Sequence, residues 1–225
     1  MLPDIDIQIN DHKLNRSKSA KYLGVYIDED LKWNSHIRQV ENTLSRNIGL
    51  IRRAKHILDS GHLLLLYNAF VLPFLTYCLQ VWGNTYPSKL SRLTILQKKF
   101  IRMIDSADQR AHTSPIFKKY NVLKLDDLIK YVNINVLHNF ITNLLPPPIA
   151  SRFNRCQPNL LRSVRVPQHF VVPFAPTNYR KFSLYIAAPV TWNNTIANCI
   201  TDINDIPLNK YFFKKVVKKI FIDRY

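Results

Sequence analysis

A mainly α fold is predicted by three features of this 225-residue chain. Apolar residues recur every three or four positions through several long stretches, the spacing that keeps one helix face in a core. Glycine is scarce, four against 13 prolines, which disfavours hairpin-rich all-β architectures and suits helices ended or broken by proline. Hydrophobic residues make up 47% of the chain, enough to build a core for one large domain or two small ones. The expected architecture is a helical bundle preceded by a short β-hairpin and followed by a loop-rich segment and a C-terminal amphipathic helix.

The elements follow in chain order. Ile5, Ile7 and Ile9 alternate with Asp6 and Gln8, and Tyr22 to Ile27 is rich in β-branched and aromatic residues, so both stretches read as strands. A polar linker over 12–19 joins them into a hairpin too small to stand without a neighbour. A first helix is expected over 34–58, with Trp33, Ile37, Val40, Leu44, Ile48, Ile51 and Leu58 on one face and Asp59-Ser60-Gly61 as its stop. The opposite face collects Ser35, Arg38, Asn42, Ser45, Arg46, Gly49, Arg52 and Arg53. That face is small at its centre and basic at its edges.

The apolar stretch 63–82 has the length of a membrane span. Pro73 and the polar Asn68, Thr76 and Gln80 divide it, and Gly61 and Gly83 bound it, so a buried, proline-broken helix pair is expected instead. Pro87 suits the first turn of a third helix, whose Leu93, Leu96, Phe100 and Ile104 lie opposite Lys98, Lys99 and Arg102. A loop over 105–114 leads to a fourth helix, capped by Asp126, built on Leu128, Val132, Val136 and Phe140 and ended by Pro146-Pro147-Pro148. The proline-rich, aperiodic stretch 150–179, with Arg152, Arg155, Arg162 and Arg165, is expected to be a surface loop. A final helix over 208–222 sets Phe212, Phe213, Val216 and Ile220 opposite Lys210, Lys214 and Lys218.

Charge points to the partner class. Thirty-two Lys and Arg against 15 Asp and Glu give +17, a balance that favours nucleic acid and, less often, an anionic membrane surface. Cys78, Cys156 and Cys199 are odd in number and far apart, which suits a reducing intracellular compartment, cytoplasmic or nuclear, without disulfides. Asp4 and Asp6 near the start, with no basic segment and apolar core, do not support a secretory signal. The histidines and cysteines never form a Cys-x-x-Cys or His-x-x-x-His pattern, so no zinc site is expected. No phosphate-cradling glycine loop, Gly-x-Ser-x-Gly or kinase motif occurs, and no cofactor is expected. Asp28, Glu29 and Asp30 read as a turn that starts a helix.

A family resemblance sharpens this reading. Lys21-Tyr22-Leu23-Gly24-Val25-Tyr26-Ile27-Asp28, followed by Leu31, Trp33 and His36, resembles the closing strands of the palm in reverse transcriptases of non-LTR (LINE-type, jockey-like) retrotransposons. Later phrases resemble the same family in the same order: Leu72-Pro73-Phe74-Leu75-Thr76-Tyr77-Cys78, Val81-Trp82-Gly83-Asn84, Leu96-Gln97-Lys98-Lys99-Phe100-Ile101-Arg102, Arg110-Ala111-His112-Thr113 and Pro189-Val190-Thr191-Trp192-Asn193.

The resemblance implies a palm remnant over 1–30, a helical thumb-like domain over 31–148 and a loop-rich basic segment with a last helix over 149–225. It implies that Tyr22, Leu23 and Gly24 belong to the hairpin that holds the primer end and that the first helix lies along the template and primer duplex. Arg38, Asn42, Ser45, Arg46, Gly49, Arg52 and Arg53, with Lys98, Lys99 and Arg102, are then the expected nucleic-acid-binding residues. The partners implied are an RNA/DNA duplex or hybrid, bound without regard to sequence, and an upstream palm and fingers domain; no membrane is involved. Polymerases hold two metal ions on palm carboxylates, and the resemblance puts those aspartates upstream of Met1. The adjacent Asp126-Asp127 opens an amphipathic helix, where acids serve the cap and the helix dipole. The chain is therefore expected to be a non-catalytic fragment with no metal. The alternatives are an inert folded remnant of a truncated element and a membrane-associated protein using 63–82 and the lysine-rich last helix.

Overall fold

The computed structural model describes residues 8–10, 12–13, 15–156, 170–196, 207 and 209–225. Asp4, Ile5, Asp6, Ile7, Arg162, Arg165 and Cys199, all invoked above, lie outside the described residues, as does position 208, where the last helix was expected to start. The fold is mainly α, as expected, but the strands pair differently. Strand β1 (Gln8–Ile9) pairs with β2 (His12–Lys13), and β3 (Ser19–Tyr22) pairs antiparallel with β4 (Val25–Asp28). Tyr22 to Ile27 is thus not one strand. It turns at Leu23-Gly24, where φ is +45° and +81°, the two positive-φ residues of a tight hairpin whose twist matches the strands.

The β3–β4 hairpin lies against α1 (Asn34–Ala54). The residue before α1, Trp33, has φ +62° and offers no side-chain cap. Asp28 supplies the acceptor instead: its Oδ2 takes the Ser35 N–H at 3.2 Å, so the acidic cluster does start the helix. α1 ends four residues earlier than expected, at Ala54, and Asp59 caps the following helix by accepting the His62 N–H at 2.8 Å.

The apolar stretch becomes α2 (Ser60–Phe70), α3 (Leu72–Thr76) and α4 (Leu79–Trp82) rather than a buried pair. Pro73 stands in the first turn of α3, where no N–H is needed, and Cys78 turns the chain at φ +50°. Leu65, Phe70, Phe74, Tyr77 and Val81 remain exposed, so the stretch lies half on the surface. Among the described residues no helix is long and apolar enough to cross a membrane.

α5 (Pro87–Ile104) packs beside α1 with Leu93, Leu96, Phe100 and Ile104 buried as expected. Its fully buried Gln97 holds three elements together: Nε2 donates to the Tyr67 hydroxyl and to Leu123 O, each at 2.9 Å, and Oε1 accepts the Leu125 N–H at 2.9 Å. Burial pushes the Tyr67 hydroxyl up to about 12, so it stays protonated.

Four helices escape the sequence reading. α6 (Ser114–Lys119) follows the expected loop, and α10 (Leu184–Thr195) carries the Pro189-Val190-Thr191-Trp192-Asn193 phrase. Between them run α7 (Leu125–Ile141), α8 (Pro147–Ala150) and α9 (Asn178–Lys181). Asp126 does not cap α7; the helix begins at Leu125, and Gln97 takes the N–H of that first residue. α7 is buried on several sides, including Asn133, Ile134, Leu137 and His138, because it packs against α4, α5, α10 and α11 (Lys210–Ile222).

Phe153 and Phe170, expected on a surface loop, are buried in the same core. Asn193 brackets Phe170 by accepting its N–H and donating to its carbonyl, both at 2.9 Å. In α11 the buried face is Phe213, Val217 and Phe221 rather than the one containing Phe212, which is exposed. Lys214 and Lys218 are half-buried, and burial lowers the Lys218 pKa.

Candidate nucleic-acid interface

The polar face of α1 forms as predicted. Ser35, Arg38, Asn42, Ser45, Arg46, Gly49, Arg52 and Arg53 lie on the side turned to solvent, since the helix turns Ile37, Val40, Leu44 and Ile51 into the core. Arg46 Nε reaches back to Asn42 O at 3.4 Å. Among the described residues no carboxylate forms an ion pair with Arg38, Arg46, Arg52 or Arg53; the nearby Glu41 is engaged by Arg92 at 3.8 Å. A β-carbon at Gly49 would meet nothing within 4 Å, so this glycine is not a packing contact.

Neighbouring elements extend the basic face into two grooves. Toward its N-terminal half, the hairpin overlies α1 and encloses a groove of about 940 Å³ lined by Lys21, Tyr26, Arg38, Asn42 and Lys89. Toward its C-terminal end, α1 and α5 flank a groove of about 400 Å³ on which Arg52, Lys55, Lys99 and Arg102 converge. Arg102 is held in place by donating from Nε to Ala111 O at 2.9 Å. Lys98 faces a separate pocket on the other side of Arg102.

The hairpin turn lies apart from both grooves. Tyr22 and Leu23 are exposed, and Leu23-Gly24 rests on Tyr77. Sequence reading named Tyr22, Leu23 and Gly24, but the hairpin residues that share a groove with Arg38 are Ser19, Lys21 and Tyr26. It also missed Lys55 and Lys89, whose contribution depends on which helices become neighbours.

Beneath the hairpin, His36 is buried edge-on to Trp82, with neither ring nitrogen hydrogen bonded. Burial lowers its pKa, partly opposed by Asp28. Among the described residues no group of three His, Cys, Asp or Glu comes together that could hold a metal ion. Asp127 accepts from the Tyr225 hydroxyl at 2.8 Å and from Lys130 at 3.2 Å. The arrangement offers arrays of cations that can neutralise phosphates.

Similarity to known proteins lies along the same line. The chain is 29% identical over 129 residues to the RNA-directed DNA polymerase from mobile element jockey of Drosophila funebris, covering 56% of this chain and 14% of that polymerase. The Drosophila melanogaster jockey polymerase is 26% identical over 129 residues, with the same coverage. About half of the chain is thus similar to RNA-directed DNA polymerases of non-LTR mobile elements. A probable RNA-directed DNA polymerase from transposon X-element of Drosophila melanogaster is 26% identical over 107 residues, covering 45% of this chain and 12% of that protein. The polymerase-related stretch therefore spans a small part of these relatives' own length. No protein-family model and no solved structure matches the chain.

The phrases that carried the family resemblance have physical roles in the fold. Trp82 is buried and donates from Nε1 to Tyr77 O at 2.8 Å. A β-carbon on the following Gly83 would meet Leu79 O at 2.5 Å, so only glycine fits there without a shift. Asn84 and Asn133 exchange side-chain hydrogen bonds at 3.3 and 2.8 Å, tying the end of α4 to the middle of α7.

Proposed function

We propose that this chain is a non-catalytic, nucleic-acid-binding part of a retrotransposon reverse transcriptase, its basic helix faces lying along an RNA/DNA duplex or hybrid. The observation that carries the reading is the face of α1, where four arginines without carboxylate partners among the described residues flank a low centre of Asn42, Ser45 and Gly49. A low, polar centre between charged rims lets the helix backbone approach a sugar-phosphate groove. Lys99 and Arg102 continue the charge from α5.

In this reading, residues 1–30 act as the hairpin that closes a palm, 31–148 as a thumb, and 149–225 as a basic segment with a last helix. An upstream palm and fingers domain would be the protein partner. The catalytic carboxylates are assigned to that partner, because Asp127 is engaged by Tyr225 and Lys130 and Asp126 stands in the first turn of α7.

Two measurements test it. Hybrid duplexes of unrelated sequence should compete equally for the full chain in a gel-shift assay, as a phosphate-directed mode requires. The chain alone should not extend a primed template. Extension abolished by Asp126→Asn would overturn the non-catalytic assignment, and no retention of any duplex would overturn the binding.

A further inference from the structure

Arg102 stands between the α1–α5 groove and a second, smaller cavity of about 270 Å³. Three separate stretches of chain bring cations to that cavity. Lys98 and Arg102 come from one side of α5, Arg110 from the loop that follows, and Lys124 from the residue just before α7. We propose that this cavity binds a single phosphoryl group of a nucleic-acid strand that runs past Arg102 from the α1–α5 groove. The proposal rests on the reading that the chain binds nucleic acid, and it deepens it by giving one strand a defined stopping point.

The cavity is built rather than incidental. The Arg102 guanidinium is aimed by its bond to Ala111 O at 2.9 Å. Lys124 Nζ donates to Ser114 Oγ at 2.9 Å and lies 3.9 Å from the centre of the Tyr225 ring. The loop itself is shaped by Asp108, whose Oδ1 accepts the Arg110 N–H at 2.8 Å. Like charges that line one cavity repel unless an anion comes between them.

The described residues do not supply that anion. Among the described residues Lys98, Arg102, Arg110 and Lys124 form no ion pair. One carboxylate, Asp126, lines the cavity and is exposed. It opposes an anion, and four full positive charges outweigh it. Arginine and lysine donors around one cavity match the oxygens of a phosphate, and the cavity is too small to admit a duplex. Either a terminal phosphate monoester or an internal phosphodiester supplies the required chemistry.

The test uses the full chain, a blunt hybrid duplex, and the same duplex with a single-stranded 5′ extension ending in phosphate or in hydroxyl, each labelled at a 3′ end. The variant is Arg110→Glu, which reverses the charge of a residue that lines the cavity and takes no part in the α1–α5 groove. Wild type should bind the extended duplexes more tightly than the blunt one by about tenfold, as charge-assisted bonds to one phosphate would give. The variant should lose that gain and keep its affinity for blunt duplex. A wild-type preference for the 5′-phosphate end, competed by inorganic phosphate, identifies the monoester; equal binding of the two extended duplexes identifies the phosphodiester. Extended duplexes bound no better than blunt ones, or bound equally by wild type and variant, overturn the proposal. Blunt duplex failing to bind while the extended ones bind would overturn the α1 reading and leave the cavity's role standing.

Discussion

The Tyr77 hydroxyl donates to the Leu23 carbonyl at 2.6 Å across 54 positions of sequence. This bond fastens the tip of the β3–β4 hairpin to the end of α3, and the ring also lies 3.5 Å from where a Gly24 side chain would begin. The hairpin is thereby held over α1 in the position that forms the groove with Arg38. Tyr77→Phe should cost about 0.5–1 kcal/mol in chemical denaturation, low in the hydrogen-bond range because the group is half exposed. Gly24→Val should cost more, since a β-branched residue at φ +81° is strained.

Gly49 gives the opposite sign. It sits inside an exposed helix with open space around it, so Gly49→Ala should stabilise the protein by about 0.5–1 kcal/mol without changing duplex affinity. Gly49→Leu should weaken hybrid binding while leaving the melting temperature near wild type. Loss of folding in Gly49→Leu would contradict the open surroundings.

Gln97→Leu should be among the most damaging single changes to the core. It leaves the buried Leu123 carbonyl and Leu125 N–H without their partner and removes the bond to the Tyr67 hydroxyl. Each buried polar group stranded costs about 1–3 kcal/mol, so denaturation should reveal a loss of at least about 3 kcal/mol. A loss below about 1 kcal/mol would mean that other groups satisfy them.

His36 and His138 make stability depend on pH. Burial is the main cause that lowers the pKa of each in the folded state; Lys210 and Lys214 also act on His138, whose bond to Pro207 O works the other way. A depressed folded pKa means that the neutral ring is the one the fold accepts. The stability it contributes is full above the unfolded value of about 6.5 and is lost as pH falls through the lower folded value. The melting temperature should therefore begin to drop below about pH 6.5, before the carboxylates titrate. His36→Phe should flatten that drop; an unchanged slope would assign it to other groups.

How much was legible in the sequence depended on whether burial had a single direction. The α1 face was readable because one side is apolar and the other is not, so a period of 3.6 appears. α10 was not, because Ile186, Ala188, Pro189 and Trp192 are buried around much of its circumference and Pro189 argues against a helix interior. The hairpin was misread for a related reason: Leu23 occupies a positive-φ position usually given to Asn, Asp or Gly, so the turn hid within a strand-like run. In α11, Phe212 and Phe213 are adjacent, and only packing against α7 decides which one is buried. Among the cationic grooves, Arg38 and Arg52 were visible on their own helix. The convergence of Lys98, Arg110 and Lys124 was not, because it needs a loop, a helix and a helix start brought together by the Gln97 bonds.

The most direct measurement is the affinity of the full chain for an RNA–DNA hybrid as a function of salt, compared with a variant carrying Arg38→Ala, Arg46→Ala, Arg52→Ala and Arg53→Ala. The wild type should show log K falling linearly with log salt, and the variant should bind more weakly, with a slope shallower by up to about 0.9 for each phosphate that the substitutions leave unneutralised. Affinity that is flat with salt in the wild type, or a slope that the four substitutions leave unchanged, would contradict binding through the α1 face.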